Sequence, residues 1–363
     1  MIDLQTHTED FTKDSRFFLS IFKEVLEPSL EGRYAQSFEQ DFAQHLGSVY
    51  SISTHSLARS LQKCFDYFSI GEWDEVICPS WLSTQYIQTV ISSKISPVFA
   101  EISPYTLGID FRDVSHKLSS KTKAVIMTYP YGIPSDISYL QNLCKEKGIL
   151  LIEIVPQAFA TKYRGKNIGT FGDVGLIEFH PKHMYSEANS GIVATDCDAL
   201  AFALRNDPKR NKEVDSSFSE MEGAIGLWIL DYLDKNQDKR MHLAQRLDKS
   251  FEIIPNVSIF HELCGAQWDR QIYPLRVSSH VREELFDLLK SQGVQVIKPQ
   301  SPSHLHSFIQ AHLRPPQLIQ TERLSKEILL IPISAGLSKQ EEITLTETVN
   351  SFFLHRRDLR YFA

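Results

Sequence analysis

Apolar residues recur along this chain in two alternating patterns. Over residues 37–46 the spacing is helical, with Phe38, Phe42 and Leu46 every four residues. Gly47 stands where a left-handed residue closes such a helix. Short apolar runs follow at residues 49–53, 75–78, 96–100, 124–128, 149–155, 174–179 and 191–195. Helical stretches at 59–67, 84–92 and 137–147 separate the earlier runs. Turn residues punctuate the boundaries, as in Ile70-Gly71-Glu72, Tyr131-Gly132-Ile133-Pro134 and Arg164-Gly165-Lys166. Strand–helix–strand alternation of this kind predicts an α/β fold, with a mainly parallel sheet covered on both faces.

The pattern changes after residue 200. Residues 207–217 are polar and hold Pro208, Lys209, Arg210 and Lys212, so an exposed loop is predicted. A long helical pattern spans 220–251, with Ile225, Ile229 and Leu233 on one face, and reads as a connector between two regions. Beyond it come apolar runs at 271–277, 294–298 and 328–333, an acidic helix near 282–292 and a last helix from Lys339 to about His355. That mixture predicts a smaller α+β domain. The expected division is 1–235, an N-terminal arm with the large α/β domain, and 236–363, the connector with the small domain.

Composition narrows the functional classes. The 363 residues hold 38 Lys and Arg against 45 Asp and Glu, a net charge of −7, and 42% are hydrophobic. Disorder needs less hydrophobicity and more net charge. A mildly acidic chain has no electrostatic reason to take nucleic acid as its main partner. No run approaches the roughly 20 apolar residues of a membrane span. The polar, acidic start is neither a secretory signal nor a basic transit peptide. Cys64, Cys78, Cys144, Cys197 and Cys264 are scattered and form no CxxC pair, which suggests buried thiols in a reducing, cytoplasmic setting.

Several stretches, in order and nearly fixed spacing, carry a resemblance. They are FEQDFAQHLG at 38–47, DEVICPSW at 74–81, PVFAEISPYTLGID at 97–110, TKAVIMTYPYGIPSDI at 122–137 and YRGKNIGTFGDVGLIEFHP at 163–181. EMEGAIGLWILDYLD and LLIPISAGLSKQEEI continue it into the connector and the C-terminal region. The chain resembles the DegT/DnrJ/EryC1/StrS sugar aminotransferases. The resemblance implies a PLP-transferase fold of type I, with a mainly parallel seven-stranded sheet. It also implies a homodimer and pyridoxal phosphate (PLP) held as a lysine Schiff base.

Residue by residue, the resemblance places the cofactor contacts and shows them changed. The Ser-Gly-Thr phosphate turn falls on Ser56-Leu57-Ala58, and the ring-stacking aromatic falls on Ser83, with Trp81 two positions earlier. The aspartate that pairs with the pyridine nitrogen falls on Ile154. Adjacent Glu153 is no substitute on a strand, because neighbouring side chains point to opposite faces. Gln157 matches. A serine at the phosphate becomes Glu178, the Schiff-base lysine becomes His183 with Lys182 one residue early, and a phosphate-binding asparagine becomes Asp215. A carboxylate about 4 Å from a phosphate repels it by roughly 4 kcal/mol at an effective dielectric of about 20.

The expectation is therefore a degenerate homologue that uses no cofactor. It would bind a nucleotide sugar, or act on one by altered chemistry, in unusual-sugar or surface-polysaccharide synthesis. Ser56, Trp81 and Gln157 would be remnants of the cofactor site. The alternative is an enzyme using PLP or pyridoxamine phosphate (PMP) on a 4-keto-6-deoxy nucleotide sugar. It would be a 3-dehydratase with His183 as base, or an aminotransferase with Lys182. Either site should lie at the C-terminal ends of the large-sheet strands. No metal site is expected, since His180 and His183 have no partner at diagnostic spacing. His304, His306 and His312 read as loop or surface histidines.

Overall fold

The computed structural model describes residues 33–156, 158, 160–179, 190–206, 218–333 and 337–354. Helix α1 (Arg33–Leu46) buries Phe38, Phe42 and Leu46, the residues of the four-residue repeat. Gly47 ends it at φ +77°, with its N–H on the Ala43 carbonyl.

All seven apolar runs become the strands of one sheet. These are β1 (Tyr50–Thr54), β2 (Glu75–Pro79), β3 (Ser96–Ala100), β4 (Thr122–Thr128), β5 (Leu150–Pro156), β8 (Val174–Glu178) and β9 (Gly191–Thr195). Their order across the sheet is β1-β9-β8-β5-β4-β2-β3. β9 runs antiparallel to both neighbours and the other pairings are parallel. On one face, Val125, Met127, Leu151, Val155 and Ile177 pack with α1. On the other, Ala124, Ile126, Ile152, Ile154 and Leu176 pack with α2 (Leu57–Tyr67) and α3 (Thr84–Ser92). Each strand thus buries both of its alternating faces, which is why the runs look continuously apolar. Helices α4 (Phe111–Lys117) and α5 (Ser138–Lys147) complete the βα connections, and α6 (Asp198–Arg205) follows β9.

A small hairpin, β6 (Lys162–Tyr163) and β7 (Lys166–Asn167), leads from β5 to β8. The glycines that follow it are demanded by close approach. A Cβ on Gly175 would lie 2.0 Å from the Gly169 carbonyl oxygen, and one on Gly172 would lie 2.4 Å from that of Leu151.

The connector helix α7 (Glu220–Phe251) has 32 residues, so it is about 48 Å long. Ser219 and Glu222 form a capping box at its start. Its first turns bury Trp228 and Ile229 against the large sheet, and its last turns bury Leu243, Leu247 and Phe251 in the smaller core. That core is closed by β10 (Val257–Ile259), β12 (Ile272–Val277), α8 (Ser279–Ser291), β13 (Ile328–Pro332) and α11 (Lys339–Leu354). A two-residue strand β11 (Ala266–Gln267) pairs with β6. Between the two cores, Arg240 and Asp269 form a buried ion pair at 2.6 Å, and the Thr161 hydroxyl accepts from the Asp269 N–H.

Two departures from expectation matter for the site. Residues 294–298 do not form a strand; Ile297 alone bridges Leu330. The chain then crosses back to the large domain as α9 (Ser307–His312) and α10 (Ile319–Glu327), where Ile309 and Leu318 enter the core of the sheet. The thiols also differ in part from expectation: Cys64, Cys78 and Cys144 are buried, Cys197 is half-buried and Cys264 is exposed.

Candidate active site

The C-terminal ends of β2, β4, β5 and β8 open into a cleft of about 260 Å³. Ser80, Trp81 and Ser83 enter from the β2–α3 loop, Thr128 and Tyr131 from β4 and its following turn, and Ile154 and Pro156 from β5. Glu178 comes from the end of β8. The opposite wall is Ile272, Ile297, Lys298, Gln300, Ser301, Pro302 and Leu330. The structure therefore brings together four of the residues singled out from the sequence: Trp81, Ser83, Ile154 and Glu178.

Others lie elsewhere. Ser56 caps α2, its hydroxyl accepting from the Arg59 N–H at 3.3 Å. Leu57 is fully buried; a Cβ on Gly191 would lie 2.7 Å from its Cδ1. Neither they nor Ala58 line the cleft. Gln157, Lys182, His183 and Asp215 lie outside the described residues.

The alternation argued for β5 is what the structure shows. Ile154 faces the cleft side, whereas Glu153 points to the other face and is fully buried. There Glu153 accepts from the Tyr129 hydroxyl at 2.5 Å, the Gly169 N–H at 2.9 Å and the Gly172 N–H at 2.6 Å. Burial pushes its carboxyl above the usual range, against the pull of those donors. Glu153 thus fastens the glycine turn beneath β8.

Among the described residues, Glu178 is the one carboxylate in the cleft lining. Burial pushes its pKa up to about 7, and the Tyr86 hydroxyl, donating to Oε1 at 3.0 Å, opposes the shift only in part. Near neutral pH it holds or releases a proton readily. Tyr86 has no motif of its own; only the helical spacing of α3, which turns it toward β8, would have pointed to it.

Trp81 stands edge-on to Tyr131, with ring centroids 6.3 Å apart, and its indole N–H donates to the Tyr131 hydroxyl at 3.1 Å. The Tyr131 carbonyl accepts from the Trp268 indole at 3.0 Å. The loop before Trp81 is held by His304, which is buried and not, as its sequence context suggested, at the surface. His304 Nδ1 is 2.5 Å from the Ser80 hydroxyl and Nε2 is 3.3 Å from Glu322. Its partner Ser80 is 224 residues away, so no local pattern reports the contact. His306 and His312 are exposed, as expected.

The described lining suits a flat aromatic ring in shape, through Trp81, Tyr131, Pro156 and Ile154. Ile154, the residue that the resemblance sets against the pyridine nitrogen, lines the cleft with its apolar side chain. Among the described residues no cluster of His, Cys, Asp and Glu could hold a metal. No helix among them is long and apolar enough to cross a membrane.

Comparison with known proteins places this architecture. The DegT/DnrJ/EryC1/StrS aminotransferase family matches residues 18–350. A pleiotropic regulatory protein of Geobacillus stearothermophilus is 26% identical over 98% of both chains. A dTDP-3-amino-3,6-dideoxy-alpha-D-galactopyranose transaminase of Aneurinibacillus thermoaerophilus is 26% identical over 88% of this chain and 90% of its own. In fold, the structure of ntda from Bacillus subtilis with bound cofactor PMP superposes with a TM-score of 0.79, at 21% identity over 94% of this chain and 82% of the other.

These findings correct the expectation that no cofactor is used. The family is one of aminotransferases, and a protein of the same fold holds PMP. The substitutions at Leu57, Ala58, Ser83, Ile154 and Glu178 do not by themselves show loss of the cofactor. Of these, Ser83, Ile154 and Glu178 line the cleft, which is open at the strand ends.

Proposed function

Because the chain belongs to the DegT/DnrJ/EryC1/StrS aminotransferase family, we propose that it is an enzyme acting on a nucleotide-linked keto sugar with the help of PLP or PMP. The family match over residues 18–350 carries this reading, and the open cleft at the strand ends supports it. When bound, the cofactor supplies an electron sink and a carrier for an amino group. The chain's own residues have other tasks. Ile154 and Pro156 give the floor an apolar surface that excludes water. Trp81 and Tyr131 form a rigid wall. Glu178 holds a proton at its carboxyl, steadied by Tyr86.

Two versions of the chemistry differ in one residue. With Lys182 as the covalent anchor the enzyme transfers an amino group; with His183 as the base it removes the 3-hydroxyl. The purified protein should be titrated with PLP and with PMP by calorimetry, then assayed on dTDP-4-keto-6-deoxyglucose. Borohydride reduction and peptide mass mapping of the PLP form locate any lysine link. Loss of amino transfer and of the link in Lys182→Ala supports the aminotransferase. Loss of dehydration in His183→Asn, with no lysine link, supports the dehydratase. Failure of both cofactors to bind ends the proposal. We also propose that the enzyme is cytoplasmic, a reading its scattered cysteines without a CxxC pair support, and that it is a homodimer, which light scattering after gel filtration tests.

A further inference from the structure

We infer that Lys298 determines the orientation and charge preference of the ligand, by taking the diphosphate of a nucleotide-linked sugar at the small-domain rim of the cleft; this rests on the reading just proposed. Among the described residues of the cleft lining, Lys298 is the only cation and Glu178 the only acid, and they belong to opposite walls. A ligand with one strongly anionic end is therefore drawn in one direction. Its charge goes to Lys298 and its neutral sugar goes toward Ile154 and Glu178.

The position of Lys298 is fixed and its ammonium is available. Ile297, the residue before it, exchanges both backbone hydrogen bonds with Leu330 at 2.8 Å. The side chain lies over the Phe286 ring, with Nζ 4.1 Å from the centroid, and Nζ donates to Glu283. An ammonium has three donors, so two remain for a ligand. The pair with Glu283 is weak, because Lys298 is 35% and Glu283 55% exposed. Glu283 is also held by Arg282, at 3.1 Å from Nε and 2.7 Å from Nη2. It keeps a cation when Lys298 turns away, so the exchange leaves no carboxylate unpaired. A diphosphate carries more charge than a single carboxylate and wins the competition for the ammonium. Gln300 and Ser301, on the same loop, line the cleft beside it.

The test measures binding of UDP, GDP and dTDP, and of each parent nucleoside, by calorimetry at low and moderate salt. Lys298→Met should weaken the best diphosphate about tenfold and flatten its salt dependence. It should leave the parent nucleoside unchanged. Lys298→Arg should stay within about threefold of wild type, and Glu283→Gln should tighten binding by about threefold, since it removes the competitor. Wild-type binding that Lys298→Met leaves unchanged would overturn this inference alone. Wild-type protein that binds none of the three diphosphates would remove the proposed function with it.

Discussion

Glu178 and Ile154 sit on adjacent strands, one a carboxyl with a raised pKa and the other an apolar floor. The sign of the Glu178 effect on stability follows from linkage. Its folded pKa of about 7 lies above the ordinary glutamate value of 4.5, so between those values the native state binds more protons than the unfolded chain. Stability is lost as pH rises through that window. Below about pH 4.5 the cost is absent, and above pH 7 it is complete, at most about 3 kcal/mol. Glu178→Gln keeps an acceptor for Tyr86 and has no proton to lose. Urea unfolding should show it more stable than wild type at pH 8 and equal to it near pH 4.5. An equal margin at both values would mean that the carboxyl is not desolvated. Such residue-level facts were half legible in the sequence. Register against the family motifs brought Trp81, Ser83, Ile154 and Glu178 to one cleft. Tyr86, Lys298 and His304 escaped because their roles come from partners on other elements.

Elements with a strong internal period were the legible ones. Each of the seven strands and the helices at 84–92 and 220–251 are where the pattern put them, because burial on one or two faces writes itself into the spacing. The short helices were missed for the opposite reason. Helix α10 is largely polar, and its first N–H groups are held by Glu101, which accepts from Gln320 and Thr321 across some 220 residues. Residues 294–298 have strand composition but only one bridging residue, since the chain turns away to form the cleft rim. The glycine turn before β8 also has a reason invisible in sequence: its backbone lies against neighbouring carbonyls. Gly175→Ala would force a Cβ to 2.0 Å from the Gly169 oxygen. It should cost about 3 kcal/mol or more, read as a fall in the urea midpoint. Near-neutral behaviour would show that the turn can move away from β8.

At the scale of the whole molecule, the strap from Ser303 to Glu327 ties the two cores together. Ser80 accepts two hydrogen bonds from Ser303 at its carbonyl and one from the His304 N–H at its hydroxyl. Glu101 holds the start of α10, and Ile309 and Leu318 fill the layer beneath α2 and α3. His304→Ala removes the imidazole contacts to the Ser80 hydroxyl and Glu322 and keeps only the backbone N–H on Ser80. Amide exchange in residues 303–327 should then quicken by about tenfold or more while the exchange of β4 and β5 holds, since the strap opens locally. Uniform quickening would instead show that strap and sheet open as one unit. The same feature dictates how the protein emerges during synthesis. The seven strands of the large sheet are complete by residue 195, yet Ile309, Leu318 and the partners of Ser80 and Glu101 arrive more than a hundred residues later. A nascent chain stalled between those points carries a finished sheet with part of one face unroofed. The interval when this protein most needs a chaperone therefore falls in the second half of its translation, and it closes when residue 327 leaves the ribosome.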